Sequence, residues 1–377
     1  MNEPDLKKIL AAKIKQARKR IGYTQEDLAN VASLPHPQTV SDIEKGEREV
    51  KVWELANIAK ALHVDIMDFM TTSDLPALSH VAWRVQPQKC KEDIEAGFLE
   101  KCTIYAELES LLGFYNQKPL PQYEVGPQQP DFAKVEQIAA EMNQILDLGS
   151  KPALSLTRVL EDNFGVKIWY YDIENGSAAS ARGEFGAAIL MNFKEAPWRR
   201  NYNFAHELFH LITWDATRMG ELKPELWSNL EKMADAFASY LLMPKHAIRD
   251  AFENRIQDEV IHYSDLVEVA REFEVSTAAL LWRLYRLNKI SQDKVQALLD
   301  DPAFQAVDKT TMYRNWRHPL PLPDRFVRLA FLAYQKGKLS RMQLSKYLDT
   351  SLIDLSNILS QYGFDEWENY ELEITAS

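Results

Sequence analysis

The ten residues "NFAHELFHLI", Asn203 to Ile212, hold two histidines four apart, with a glutamate directly after the first. On a helix that spacing projects His206 and His210 from one face, where both imidazoles can reach the same cation. Glu207 is turned about 100° away from His206, so it does not join them easily but can take a proton from a water beside the cation. This is the arrangement of a zinc peptidase, in which Zn2+ lowers the pKa of water and the glutamate is the general base. Zinc needs a third protein ligand, and Glu231 follows His210 by 21 residues in "LEKMADAFASYLLMP". Asp235 lies one helical turn further on, where a carboxylate can accept the spare N–H of a ligating His and fix its tautomer. Asp215, Glu221 and Glu225 are competing ligands from the intervening segment. They rank below Glu231 because a regular helix holds a carboxylate more rigidly than a loop does. Tyr202, Tyr240 and His246 lie near these motifs, as do Arg199 and Arg200, but none stands out as an oxyanion stabiliser or substrate clamp.

Such residues must be positioned by elements on either side. "SLTRVLEDNFG" has helical periodicity closed by Gly165, "VKIWYYDI" has the β-branched and aromatic richness of a strand, and "FGAAILMNF" is a continuous apolar run suited to another. The polar stretch "IENGSAASARGE" between them holds room for a third strand. A helix and a small sheet thus precede the histidine helix, an α+β arrangement. The strand "GAAILMNF" is expected either to border the cleft, taking an extended substrate as an added strand, or to be buried in the core.

The stretches "RRNYNFAHELFHLI", "EKMADAFASYLLMP", "GAAILMNF" and "VSTAALLWRLYRLNKI" together resemble the ImmA/IrrE family of zinc metallopeptidases. The resemblance implies that His206, His210 and Glu231 bind zinc and that Glu207 is the general base. It also implies limited cleavage of a protein substrate, typically a repressor, in a stress or mobile-element response. Phe209 stands where Gly is frequent before the second histidine, and Asp235 where Asn is frequent.

Upstream, residues 5–70 read as short amphipathic helices, with Thr24 and Asp27 as a cap pair and a fifth helix from about Asp65. "TQEDLA", "TVSDIEKGER" and "WELANIAKALHV" resemble the XRE-type helix-turn-helix family. In that family the second helix crosses the DNA backbone and the third enters the major groove. The resemblance puts Gln25 on phosphate and Gln38, Thr39 and Ser41 at base edges. The turn "NVASLPHPQ" is longer than usual, with Pro35 and Pro37.

Residues 1–72 carry eleven basic and eleven acidic residues, so the formal charge of −11 belongs to the rest of the chain. A uniformly acidic surface repels phosphate. Phosphate contact is therefore assigned to a local stripe, Lys7, Lys8, Lys13, Lys15, Arg18, Lys19 and Arg20. Two cysteines, Cys90 and Cys102, exclude a disulfide scaffold and read as free buried thiols. The chain has no apolar run of the roughly 18 residues that read as a membrane span and no signal-like start, so a cytoplasmic protein is expected.

The expected fold class is mainly α with a small α+β unit. Residues 1–72 form a helix-turn-helix domain, 73–150 a helical linker region, 151–290 the zincin-like domain and 291–377 a C-terminal helical bundle with a helix-turn-helix flavour. The expected function is a DNA-binding transcriptional regulator with a zinc-dependent endopeptidase that cleaves a partner repressor. The alternative is an antitoxin or repressor that binds a toxin or senses a ligand without essential proteolysis. Expected partners are operator DNA, a repressor-type or toxin protein, and a second copy of the chain as a homodimer, with no membrane.

Overall fold

The structure, a computed structural model, describes residues 3–20, 23–62, 66, 69, 80–114, 118–217, 224–256, 258, 260–312 and 318–365. The expected fifth helix near Asp65 and the linker from Thr71 fall almost wholly outside them. The chain divides into two compact units, Met1–Ser79 and His80–Ser377. The sequence boundaries at 150/151 and 290/291 both lie inside the second.

The first unit holds α1 (Glu3–Arg20), α2 (Gln25–Val31), α3 (Pro37–Glu44) and α4 (Val52–Ala61). Ile14, Leu28, Val40, Ile43 and Ile58 meet in its core. Thr24 caps α2 as its sequence suggests, accepting from the Asp27 amide at 3.1 Å while Asp27 accepts from the Thr24 amide at 2.8 Å. Ser33 at φ 54° turns the chain after α2, and Pro37 opens α3, where a missing N–H goes unneeded.

In the second unit, β1 (His80–Trp83), β2 (Lys167–Tyr171), β3 (Ala178–Gly183) and β4 (Gly186–Asn192) form one sheet in the order β1-β3-β4-β2. β4 runs parallel to β2 and antiparallel to β3, and β1 is antiparallel to β3. The expected role of "GAAILMNF" as an acceptor of an added strand is therefore corrected: β4 is interior, with its backbone groups paired to β2 and β3. Residues 73–150, expected as a helical linker region, supply the edge strand β1 as well as α5 (Lys91–Leu112) and α6 (Phe132–Ile145).

Alternation along the strands sends side chains to two different cores. Ile168, Ala178, Ile189 and Met191 face one that also holds residues of α6, α7 (Leu156–Phe164), α8 (Pro197–Ile212) and α10 (Pro224–Leu242). Trp169, Ala179, Ala188 and Leu190 face another with α5 and α16 (Asp324–Gln335). Between α8 and α10 lies the short α9 (Trp214–Thr217). The chain continues through α11 (Lys245–Glu253), α12 (Tyr263–Glu272), α13 (Thr277–Arg286), α14 (Gln292–Asp300) and α15 (Pro302–Met312). After α16 come α17 (Arg341–Tyr347) and α18 (Leu355–Gln361), whose Leu344, Leu355 and Leu359 join the Trp169 core. The C-terminal helices thus cover one face of the sheet.

Among the described residues no helix is long and apolar enough to cross a membrane. Cys102 is buried, whereas Cys90, expected buried, is exposed.

Candidate metal centre

Asn203 to Ile212 are buried without interruption, so this C-terminal part of α8 runs through the core, while its first turns, with Trp198, Arg199 and Tyr202, stay half-buried or exposed. Pro197 starts it, and α10 packs along it with Leu230, Ala234, Phe237 and Leu241 in the shared core. The i, i+4 spacing on each helix then brings His206 and His210 opposite Glu231. His206 Nε2 is 3.2 Å from His210 Nε2, and the Glu231 carboxylate lies 3.4 Å from the first and 3.1 Å from the second. Tetrahedral bonds of about 2.0–2.1 Å imply ligand-to-ligand edges of about 3.3 Å, so this triangle fits one zinc-sized ion.

The donor chemistry agrees with that fit. His206 Nδ1 is 2.9 Å from Asp235 Oδ1, and His210 Nδ1 is 3.2 Å from Thr217 Oγ1. Thr217 Oγ1 lies 3.3 Å from the carbonyls of His210 and Thr213, to which it donates, leaving its lone pairs for the imidazole. With Nδ1 engaged by these oxygens, each ring turns its Nε2 toward the other and toward Glu231, the orientation a cation between them needs. Glu231 Oε1 is buried with no hydrogen-bond donor. Trp227 stacks on His210 at 5.6 Å with an interplanar angle of 7°.

Electrostatics separate the three carboxylates. Burial alone would raise Glu231, but the two histidines outweigh it and draw its pKa down to about 2. Asp235 is likewise held below its ordinary value, burial being overcome by His206 and Arg84. Glu207 is fully buried, neither carboxylate oxygen has a hydrogen-bond partner, and burial pushes its pKa to about 7. The Ser180 hydroxyl faces it from β3 closely enough to temper that rise, though no hydrogen bond closes.

Of the competing ligands, Asp215 and Glu225 are exposed, and Glu221 lies outside the described residues. Tyr202 is committed elsewhere, donating to the Asp235 carbonyl at 2.6 Å. Tyr240 lies under the Arg283 guanidinium, and His246 is exposed on α11. Arg199 pairs with Glu195, while Arg200 donates to the carbonyls of Phe193 and Glu195. Sequence reasoning missed Thr217, Trp227, Ser180 and Arg84. Arg84 follows β1 and donates to Asp235 at 3.0 Å across 151 positions of sequence, a pairing no local spacing encodes.

In the first unit, Gln38 is exposed at the start of α3 and donates to Asp42 at 2.6 Å, with Thr39 and Ser41 half-buried beside it. Gln25 turns to Glu44, 2.9 Å away. The basic stripe of α1 needs correction: Arg18 is buried and forks onto Glu44 at 2.5 and 3.0 Å, and Lys13 is buried too. Lys7 and Lys15 keep partly or fully exposed positions, and the side chains of Lys8, Lys19 and Arg20 lie outside the described residues.

Residues 14–69 match the family described as Helix-turn-helix, and residues 161–285 match the one described as IrrE N-terminal-like domain. The second match encloses His206, Glu207, His210, Glu231 and Asp235, whereas Arg84 lies before it. No curated protein matches the chain. Among solved structures, the crystal structure of Bacillus thuringiensis PlcR in complex with the peptide PapR7 and DNA aligns over 94% of this chain and 97% of that one. The identity is 13% and the TM-score 0.16.

Proposed function

We propose that this chain, a DNA-binding regulator in which a helix-turn-helix domain precedes an IrrE-type peptidase-like domain, is a zinc-dependent endopeptidase acting on a repressor-type protein partner. The observation that carries the reading is the convergence of His206, His210 and Glu231 beside a buried Glu207 with no hydrogen-bond partner. His206, His210 and Glu231 would hold the metal. Zinc, when bound, supplies Lewis acidity toward a carbonyl and toward water.

The remaining work falls to the chain itself. Asp235 and Thr217 hold the two imidazoles with Nδ1 protonated and Nε2 free to ligate. Arg84 braces Asp235 from the end of β1. Glu207, raised to about 7 by burial, can accept a proton on its carboxylate and return it at neutral pH. Operator binding as a homodimer follows from the paired half-sites that helix-turn-helix proteins read, with Gln25, Gln38, Thr39 and Ser41 as the contact residues.

A second reading, a domain that binds a toxin or ligand without proteolysis, draws support from the burial of the site. His206 and His210 are 1% exposed and Glu207 is 0%. One assay separates the two: the chain is incubated with the product of the neighbouring gene and fragments are mapped by mass spectrometry. The endopeptidase reading expects cleavage that is lost in Glu207→Gln. Stable complex formation without fragments in either protein overturns it in favour of the binding reading.

A further inference from the structure

Beside the metal centre lies a cleft of about 360 Å3. Its walls come from the end of β1, the first half of α8, the middle of α10 and α13, and they include Arg84, Trp198, Tyr202, Asp235, Trp282 and Arg286. The cleft and the centre share Asp235, which faces His206 at 2.9 Å and Arg84 at 3.0 Å. Tyr202 stands one turn before His206 and Asp235 one turn after Glu231, so the cleft begins about 5.4 Å along the helices from the donor triangle.

Its charge runs against that of the molecule. The chain carries a formal charge of −11, yet three arginines line this cleft against one acidic residue among the described residues, Asp235; Arg199 is paired with Glu195, which leaves Arg84 and Arg286. The Asp235 carboxylate is already engaged by His206 and Arg84. Arg84 keeps a buried Nη1 without an acceptor, and Arg286, exposed in the last turn of α13 with its guanidinium 5.8 Å from the Tyr240 ring, has no carboxylate partner among the described residues. Flat apolar surfaces flank these cations. Trp282 is 37% exposed one turn before Arg286, Trp198 is half-buried on α8, and the Arg84 guanidinium sits 5.5 Å above the Tyr202 ring. Cationic forks between aromatic walls suit a carboxylate on a short aliphatic stem.

We propose that this cleft is a specificity subsite that takes the glutamate or aspartate side chain of an extended peptide lying across the donor triangle. The proposal rests on the endopeptidase reading and names its substrate class: a protein segment with an acidic residue near the scissile bond. An extended chain advances about 3.3–3.6 Å per residue, so an acidic side chain seated one helical turn away belongs about two residues from that bond. Arg286 is the principal specificity determinant, because it is the exposed cation of the cleft with no acidic partner among the described residues, Arg199 being paired with Glu195.

The test uses the full-length chain loaded with zinc, with Glu207→Gln introduced to keep peptides uncut. Two libraries of acetylated, amidated decapeptides serve as probe, identical except that one position is Glu in one and Gln in the other. Retention on the protein is read by mass spectrometry. An added charge-assisted contact at a partly exposed site predicts about 5- to 10-fold greater retention of the Glu library. Arg286→Gln levels the two libraries, Arg286→Lys retains part of the preference, and Trp282→Ala weakens it from a second exposed position.

Equal retention by the parent protein, or a preference untouched by Arg286→Gln, overturns the proposal. So does displacement of the Glu peptides by 3-phenylpropanoate at equal concentration, which would mark a site for a small free carboxylate. Cleavage of both libraries at equal rates by the protein with Glu207 intact removes the subsite and leaves the endopeptidase standing. A Glu preference that depends on Arg286, with no library cut, keeps the acidic subsite and removes the endopeptidase.

Discussion

Two buried clusters of charge lie on opposite faces of the same sheet, and they are built in opposite ways. On the α5 and α16 face, Glu109 stands between Lys167 at 2.8 Å and Arg325 at 2.5 Å. Lys167 also donates to the Gly165 carbonyl at 2.9 Å and Arg325 to the Tyr105 hydroxyl at 3.3 Å. All three ionic side chains are 7% exposed or less, and each charge meets its counter-charge. On the α8 and α10 face, neither Glu207 oxygen has a hydrogen-bond partner, and the Nε2 atoms of His206 and His210 meet at 3.2 Å beside Glu231. A buried charge is tolerated when paired and is expensive otherwise. The first cluster is complete within the chain and serves the fold. The second leaves the Glu207 carboxylate without a partner, the kind of departure from internal satisfaction that proteins keep at sites serving something other than the fold.

The largest effect that separates the two clusters is on stability. Glu109→Gln takes this carboxylate from Lys167 and leaves Arg325 with only Asp162, 3.7 Å away, and should cost about 3–5 kcal/mol, read as a lowered denaturation midpoint. Glu207→Gln, at a carboxyl with nothing to lose, should keep or slightly raise the midpoint of the metal-free protein. A loss at Glu207 as large as at Glu109 would erase the distinction drawn between the faces.

Next comes metal affinity. Asp235→Ala removes the acceptor behind His206 and should weaken zinc binding by about 10- to 100-fold, measured by competition with a chelator. Thr217→Val removes the weaker acceptor behind His210 and should have a smaller effect in the same direction. An order reversed between these two would place the main support on His210 instead.

A further effect is read in the pH dependence of stability. Glu161, beside the paired cluster on α7, has a buried Oε1 without a partner, and burial raises its pKa from 4.5 to about 8. A carboxyl whose folded pKa is raised holds its proton in the native state after the unfolded chain has released it. Stability therefore falls as pH rises from about 4.5 to about 8 and levels off above. Glu161→Gln should flatten that slope in denaturation curves taken across the interval, and an unchanged slope would remove Glu161 as its source.

Much of the α8 and α10 site was legible because its residues obey helical spacing: His206 with His210, and Glu231 with Asp235, are each pairs at i, i+4. Pairings across the fold left no such trace. Arg84 reaches Asp235 from the end of an edge strand, and Trp227 meets His210 only once α10 has packed on α8. The apolar run in β4 suited either a cleft edge or a core strand, and only the pairing to β2 and β3 decides between them. Similarly, "LSRMQLSKYLDTSLIDLSNIL" has helical periodicity that says nothing about its partner. That partner is the face of the sheet bearing Trp169, where the Phe326 ring of α16 also packs, 5.0 Å away and tilted by 58°. In α1 the basic residues read as one solvent stripe, because sequence does not reveal that Glu44, 26 positions on, draws Arg18 inward.

The central claim is that the unsatisfied cluster is a metal site, and zinc stoichiometry tests it most directly. Purified full-length protein and Glu231→Ala, with folding checked by circular dichroism, are dialysed against zinc and measured by elemental mass spectrometry. One equivalent bound by the parent chain and lost in Glu231→Ala is the predicted result. Substoichiometric zinc in the parent, or one equivalent retained in both, would contradict the account and leave His206, His210 and Glu231 as a buried polar cluster of the fold.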